Sequence, residues 1–349
     1  MGNLQTLDKI DFKSLDPEGM AFQIENFPDM LLLALDLSRQ HSIPSYYLKA
    51  KKIVLCGMGG SGIAGDVMQS LLSESSNIVV ESIHGYLLPG YVDKDTLVVA
   101  NSFSGNTEET LASFGSAYDC GAKLIAITTG GKLKALAERY KVPVLSFSFE
   151  GHPRASFPLN FVMLASVFEK LGYVDLSVLG EIAKTLKVQT KQYLPNVSVL
   201  GNPAKNLAEK IVGKVPVIYA SEKLYPAALR FKAQINENAK SFAFCEPLPE
   251  LNHDAIAGYQ FPKLPIQVVA FESSFEQERI QLRHTITEMI LRDHKISYEK
   301  VYFSQVRDRL EEMLLAIMFG DFVSYYLAIL HGVRPADNKT IDFLKEKLH

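Results

Sequence analysis

From residue 52 onward the chain alternates short runs rich in valine, isoleucine and leucine with longer segments whose apolar residues recur at helical spacing. This alternation constrains the fold more than any other feature. Parallel strands need a crossover of a dozen or more residues, usually a helix, and strands buried on both faces lose the polar alternation of a half-exposed sheet. The first round places strands at 52–56, 77–83, 96–100, 123–128 and 142–147, with helices at 61–72, 107–120 and 133–140. A second round places strands at 215–220, 265–271 and 297–303 and helices at 227–238, 275–292 and 306–330. The expectation is an α/β chain with two parallel sheets, each with helices on both faces.

The seam falls near residues 190–203, where Leu194-Pro195-Asn196 and Gly201-Asn202-Pro203 break the pattern. The expected organisation is a helical lead-in over 1–50, a first domain over 51–195, a second over 196–335 and a closing helix over 336–349. A length of 349 residues fits two cores, because single cores stop growing near 250–300 residues. The second round lacks the glycine-rich loop of the first, so the repeat is one of architecture.

A net charge of -3 gives no basic field for nucleic acid, so an anionic ligand needs a local site. The three cysteines, Cys56, Cys120 and Cys245, lie far apart and suggest neither a zinc site nor a disulfide framework. Cys56 ends an apolar run and reads as a small buried residue. No basic segment followed by an apolar stretch opens the chain, so no signal peptide is expected. The strongest early apolar run, 30–35, is too short to cross a bilayer. These features point to a cytoplasmic protein with no nucleic-acid or membrane partner. The histidines are scattered without ligand spacing, so no metal or other cofactor is expected.

The first chemical signal is Gly57-Met58-Gly59-Gly60-Ser61-Gly62, directly after a strand and opening a helix. Glycines let the backbone turn sharply and bring N–H groups to an anion, which a helix N-terminus also favours. Gly57, Gly59 and Gly62 also satisfy a dinucleotide fingerprint, with Glu81 near the place of its ribose-binding acid. The absence of a Lys-Ser/Thr pair after the glycines excludes a nucleoside-triphosphate loop. The next strand feeds Asn101-Ser102-Phe103-Ser104-Gly105-Asn106-Thr107. Three hydroxyls around one turn suit the oxygens of a terminal phosphate. Such residues also cap helices and form ST-turns, but two loops at successive strand ends favour a phosphate site.

Together the two strings resemble the sugar isomerase (SIS) domain, a flavodoxin-like parallel sheet that binds phosphosugars. The resemblance implies that Gly59, Gly60, Ser61, Ser102, Ser104 and Thr107 hold the phosphate.

Catalysis needs more: a base to move a proton between adjacent carbons, a group to open the sugar ring, and positive charge for the enediolate. Glu237 stands between Asn236 and Asn238, where a helix is expected to end; spacing alone also fits a solvated glutamate. His253 lies in Glu250-Leu251-Asn252-His253-Asp254, in a loop after Pro247 and Pro249. Arg154 sits between Pro153 and Pro158, which stiffen its loop.

These segments, with Gln234-Ile235-Asn236-Glu237-Asn238-Ala239-Lys240, resemble the bifunctional phosphoglucose/phosphomannose isomerases from about residue 50 to the end. The resemblance implies Glu237 as the base between C1 and C2, His253 and Lys345 as aids to ring opening, and Arg154 as the enediolate's counter-charge. It implies a homodimer in which the neighbouring subunit donates His253. Lys345 and Lys347 also fit solvated terminal charges. Asn338 stands where relatives often carry a threonine tied to the mannose epimer, with Thr340 close by. A phosphosugar-binding regulator and a nicotinamide-dependent oxidoreductase are the other readings. No basic helix-turn-helix pattern opens the chain to favour the regulator.

Overall fold

The computed structural model describes residues 6–260 and 264–348. Residues 1–5 of the expected lead-in and His349 of the closing helix lie outside the described residues. The described chain forms two compact units, one of residues 26–187 and one of residues 6–25 with 188–348.

In the first unit five parallel strands run β1 (Lys52–Gly57), β2 (Val79–Ile83), β3 (Thr96–Asn101), β4 (Lys123–Thr128) and β5 (Val144–Ser146), in the order β2-β1-β3-β4-β5. Both faces are apolar. Val54, Cys56, Val98, Ala100 and Ala126 pack under Phe114 and Leu133 of the helices Glu108–Asp119 and Gly131–Arg139. The alternate residues Ile53, Leu55, Leu97, Val99, Ile125 and Ile127 are also buried, and the helices Gly59–Leu72 and Phe157–Lys170 pack against this sheet. Burial pushes the Cys56 thiol up to about 12, in keeping with a packing role. The segment 26–50 docks on this unit: the helix Phe27–Ser38 packs on Phe157–Lys170, and Tyr47 donates to the Leu124 carbonyl at 2.9 Å.

In the second unit β6 (Val215–Ser221), β7 (Phe244–Leu248), β8 (Ile266–Glu272) and β9 (Ser297–Tyr302) form a parallel sheet in the order β7-β6-β8-β9. Residues 6–25 belong here rather than to one lead-in segment. Leu7 is buried and its N–H donates to Glu209 at 3.0 Å, while the helix Met20–Glu25 packs on the long helix Arg309–Leu330. By length and composition Arg309–Leu330 is apolar enough to cross a membrane, but 94% of its most apolar stretch is buried inside the protein. It is the central core helix of this unit.

Four elements escape the periodicity reading. The helix Phe157–Lys170 is buried from Phe157 to Phe168, so it shows no polar face to give it a period. Leu179–Tyr193 is a helix that contains the division between the units. Asn202-Pro203 is a helix start as well as a break: the Asn202 side chain accepts from Ala204 and Lys205 N–H, and Pro203 takes the first helical position. β7 contains Pro247 and is an edge strand, where a missing ladder donor is tolerated.

Candidate active site

β1 and β3 are paired to their last residues, Gly57 beside Asn101, so their loops leave the sheet side by side. With β2 on the other flank of β1, this is a switch point, where open parallel sheets bind ligands. The helices that follow, Gly59–Leu72 and Glu108–Asp119, have no side-chain cap at Met58 or Thr107. Their first-turn N–H groups, and the positive ends of both dipoles, are therefore available to one anion.

Four hydroxyls gather around these two loops. Ser61 Oγ accepts from Phe103 N at 3.3 Å and from Asn160 Nδ2 at 3.2 Å. Ser102 Oγ accepts from Gly105 N at 3.1 Å and lies 2.9 Å from Thr107 Oγ1. Ser104 Oγ accepts from Asn106 N at 3.2 Å. The turn bonds that such residues make locally are thus present, yet a hydroxyl that accepts from N–H keeps its own proton to donate. One proton of the Ser102–Thr107 pair is used between the two hydroxyls, and the other hydroxyls that accept from N–H remain able to donate.

Residues distant in sequence hold this geometry. Asn101 Nδ2 donates to the Ser61 carbonyl at 3.2 Å and to Asn160 Oδ1 at 2.5 Å, locking the two loops to the helix Phe157–Lys170. Gly105 has φ +67°, and a Cβ there would lie 1.9 Å from the Gly130 carbonyl. Only glycine lets the Gly130-Gly131 turn after β4 press against this loop, where Leu133 N donates to Gly105 O at 2.8 Å and Lys132 N to Asn106 Oδ1 at 3.0 Å. The sequence reading missed both supports. The signals were a glycine pair at a strand end and a single asparagine inside an apolar run.

Arg154 is buried at 7% exposure in the 3-10 turn Pro153–Ser156. That turn packs on the helix Gly59–Leu72 and leads into the helix that carries Asn160.

In the second unit Glu237 is half-buried in the last turn of the helix Tyr225–Ala239. The helix is rigidly placed. Arg230 grips Asp321 through two bonds, Nε–Oδ1 at 3.0 Å and Nη2–Oδ2 at 2.7 Å, both residues being buried. Asn238 Nδ2 donates to Ser324 Oγ at 2.9 Å. Lys240 adopts the left-handed conformation, φ +52°, at the C-cap, and its ammonium donates to the carbonyls of Glu237, Asn238, Arg334 and Pro335. One lysine therefore ends the helix and ties it to the segment entering the last helix, Lys339–Leu348. Between them lies a cavity of about 260 Å³ lined by Asn236, Glu237, Lys240, Asp337, Asn338, Lys339, Thr340 and Ile341. Glu237, Asn338 and Thr340 share this cavity.

His253 and Lys345 are not among its lining residues, and both are exposed. His253 follows the 3-10 turn Glu250–Asn252. The turn is clamped: Asn252 accepts from Arg283 Nη1 at 3.2 Å and donates to Thr287 Oγ1 at 2.8 Å. Nothing in the local sequence pattern signalled those partners. Among the described residues no three His, Cys, Asp or Glu side chains cluster as a metal site.

Residues 46–141 match the SIS domain, and residues 200–348 match the bacterial phospho-glucose isomerase C-terminal SIS domain. The bifunctional phosphoglucose/phosphomannose isomerase of Caldicellulosiruptor bescii is 37% identical over 332 residues, 93% of this chain and 97% of that protein. The chain belongs to the bifunctional phosphoglucose/phosphomannose isomerase family. The D-glucosamine-6-phosphate 4-epimerase of Sulfolobus acidocaldarius is 38% identical over 213 residues, 60% of this chain and 64% of that protein. The fold is also that of the C-terminal domain of glucosamine-fructose-6-phosphate aminotransferase from Francisella tularensis, with a TM-score of 0.70 at 14% identity, covering 94% of this chain and 100% of that one. In this phosphoglucose/phosphomannose isomerase family member, the first matched region holds both hydroxyl loops and the second holds Glu237, His253 and Lys345.

Proposed function

We propose that the protein interconverts glucose 6-phosphate and fructose 6-phosphate, and accepts mannose 6-phosphate, through a cis-enediolate. The observation that carries this reading beyond phosphosugar binding is that Glu237, on a helix clamped by the Arg230–Asp321 pair, lines a cavity of about 260 Å³. A sensor protein would need the hydroxyl loops but no base lining such a cavity.

In the proposed reaction Gly59, Gly60, Ser61, Ser102, Ser104 and Thr107 anchor the phosphate. Glu237 takes the C2 proton of the open-chain aldose. The C–H electron pair becomes the C1–C2 double bond, and the carbonyl pair passes to O1. Return of that proton to C1 and transfer of the O2 proton to O1, as the C2–O2 bond becomes the carbonyl, leave the ketose. Arg154 balances the enediolate charge. His253, supplied by the neighbouring subunit of a homodimer, and Lys345 move protons during ring opening. Asn338 and Thr340 offer polar atoms on the Glu237 cavity, which supports room for the mannose epimer.

No step calls on a metal, so turnover of fructose 6-phosphate should survive a strong chelator; loss that added metal restores would contradict this. We place the enzyme in the cytoplasm, a reading supported by three free cysteines, of which Cys120 is exposed. The reading is tested by a coupled assay with fructose 6-phosphate, mannose 6-phosphate and, because of the epimerase relative, glucosamine 6-phosphate. Turnover of the first two is expected. Binding of fructose 6-phosphate with no turnover would favour the regulator.

A further inference from the structure

One histidine lies beneath the phosphate loops and has no part in the mechanism above. His84 follows β2, and its ring nitrogens face two oxygens: Nδ1 lies 2.9 Å from the Gly57 carbonyl and Nε2 lies 2.8 Å from Asp66 Oδ1. A carbonyl oxygen and a carboxylate oxygen only accept, so both ring nitrogens must donate. An imidazole with two N–H groups is a cation.

The fold makes room for this contact. A Cβ on Gly62 would lie 2.6 Å from His84 Nδ1 and 2.7 Å from the Gly57 carbonyl, so the last glycine of the loop admits an imidazole edge. The segment after His84 is fastened to the other phosphate helix. Ser113 donates to the Gly85 carbonyl at 3.1 Å, and Tyr86 donates to Glu108 at 3.1 Å. Residues 84–86 therefore clip both halves of the cradle. Neither loop, 57–62 nor 101–107, contains a lysine or arginine.

We propose that His84 is a positioning residue held as an imidazolium under the Gly57–Ser61 loop, so that affinity for phosphosugar falls as pH rises through its titration. The inference rests on the phosphate assignment above.

The charges around it are few. Asp66 faces it from the helix Gly59–Leu72, and its hydrogen bond, outweighing burial, raises the imidazole above its ordinary value. From β1 it meets the Gly57 carbonyl, and the adjacent Cys56 thiol stays neutral because burial pushes it up to about 12. On β2 Glu81 accepts from Tyr91, and beyond it Glu108 accepts from Tyr86, so neither carboxylate is aimed at the ring.

The test is calorimetric binding of fructose 6-phosphate from pH 7 to 9.5 to wild type, His84→Gln and Asp66→Asn, with the His84 ring titrated by NMR. Wild-type affinity should fall about threefold to tenfold across the His84 titration, the size expected of one partly hydrated charge a peptide away from the ligand. His84→Gln should be weaker at pH 7 and flat, with KM raised and kcat retained. Asp66→Asn should move the fall to lower pH. Equal affinity of wild type and His84→Gln at every pH, or an NMR titration at or below the ordinary imidazole value, would overturn the inference alone. Failure of wild type to bind at any pH would overturn the phosphate assignment and this inference with it.

Discussion

The two sheets put the same kind of place to different uses. In the first unit the ends of β1 and β3 carry glycines and hydroxyls that accept from backbone N–H groups and meet no carboxylate in the hydrogen bonds described above. In the second, β6 and β8 are paired to within one residue of their ends, Ala220 beside Phe271, with β7 on the other flank of β6. Serines stand there too: Ser221 as the last residue of β6, and Ser273 and Ser274 after β8. These donors are already satisfied by the chain. Ser221 donates to Glu276. Ser273 Oγ, Ser274 N–H (2.7 Å) and Ser274 Oγ (2.8 Å) converge on the buried carboxylate of Glu312. A switch point rich in hydroxyls is a candidate anion site only where no carboxylate of the chain has filled it.

Substitution of the serines breaks or sharpens this contrast. Ser102→Ala with Thr107→Val removes two donors to a dianion, and KM for fructose 6-phosphate should rise at least about 100-fold, since charge-assisted bonds contribute about 1.5–3 kcal/mol each. Ser273→Ala with Ser274→Ala should leave that KM unchanged; a matching rise would erase the distinction. Glu312→Gln weakens a buried acceptor of three bonds, with an expected loss of about 1–3 kcal/mol in urea unfolding and unaltered phosphosugar binding. Unchanged stability would mean that the carboxylate does not hold the second switch point together.

Glu276 gives the smallest effect. Burial holds its carboxyl above the usual carboxylate range, against the opposing pull of Ser221, Lys223 and Arg309. A folded value raised above the unfolded one favours the folded state at low pH, and that contribution is lost as pH rises through the folded value. Glu276→Gln should therefore raise Tm at pH 7–8 by up to about 2 °C. The gain should shrink toward pH 4, where the wild-type side chain is also neutral. A Tm that falls at pH 7–8 would show that the charged form is favoured after all.

The same contrast explains what was legible in the sequence. The frame of the proposed cradle was readable because each loop is a local strand-turn-helix signal and parallel pairing alone brings the two loops together. Its supports were not. Asn160 reaches Ser61 from 99 residues away, and His84 reaches Gly57 from 27, through contacts that no periodicity encodes. Glu237 could be placed near a helix end from the asparagines that flank it. The left-handed Lys240 that ends the helix could not, because lysine is an uncommon residue in that conformation. The plug in the second unit was equally hidden: Glu312 lies 38 residues from Ser274, on a helix legible chiefly as an apolar run.

Of the two units, the second carries Glu237, the group on which the proposed catalysis turns. The direct measurement is kcat for Glu237→Gln in the coupled fructose 6-phosphate assay, with calorimetric binding of the same sugar as the control. The account predicts turnover reduced at least about 100-fold while the phosphosugar still binds. A folded variant that turns over at the wild-type rate would contradict it.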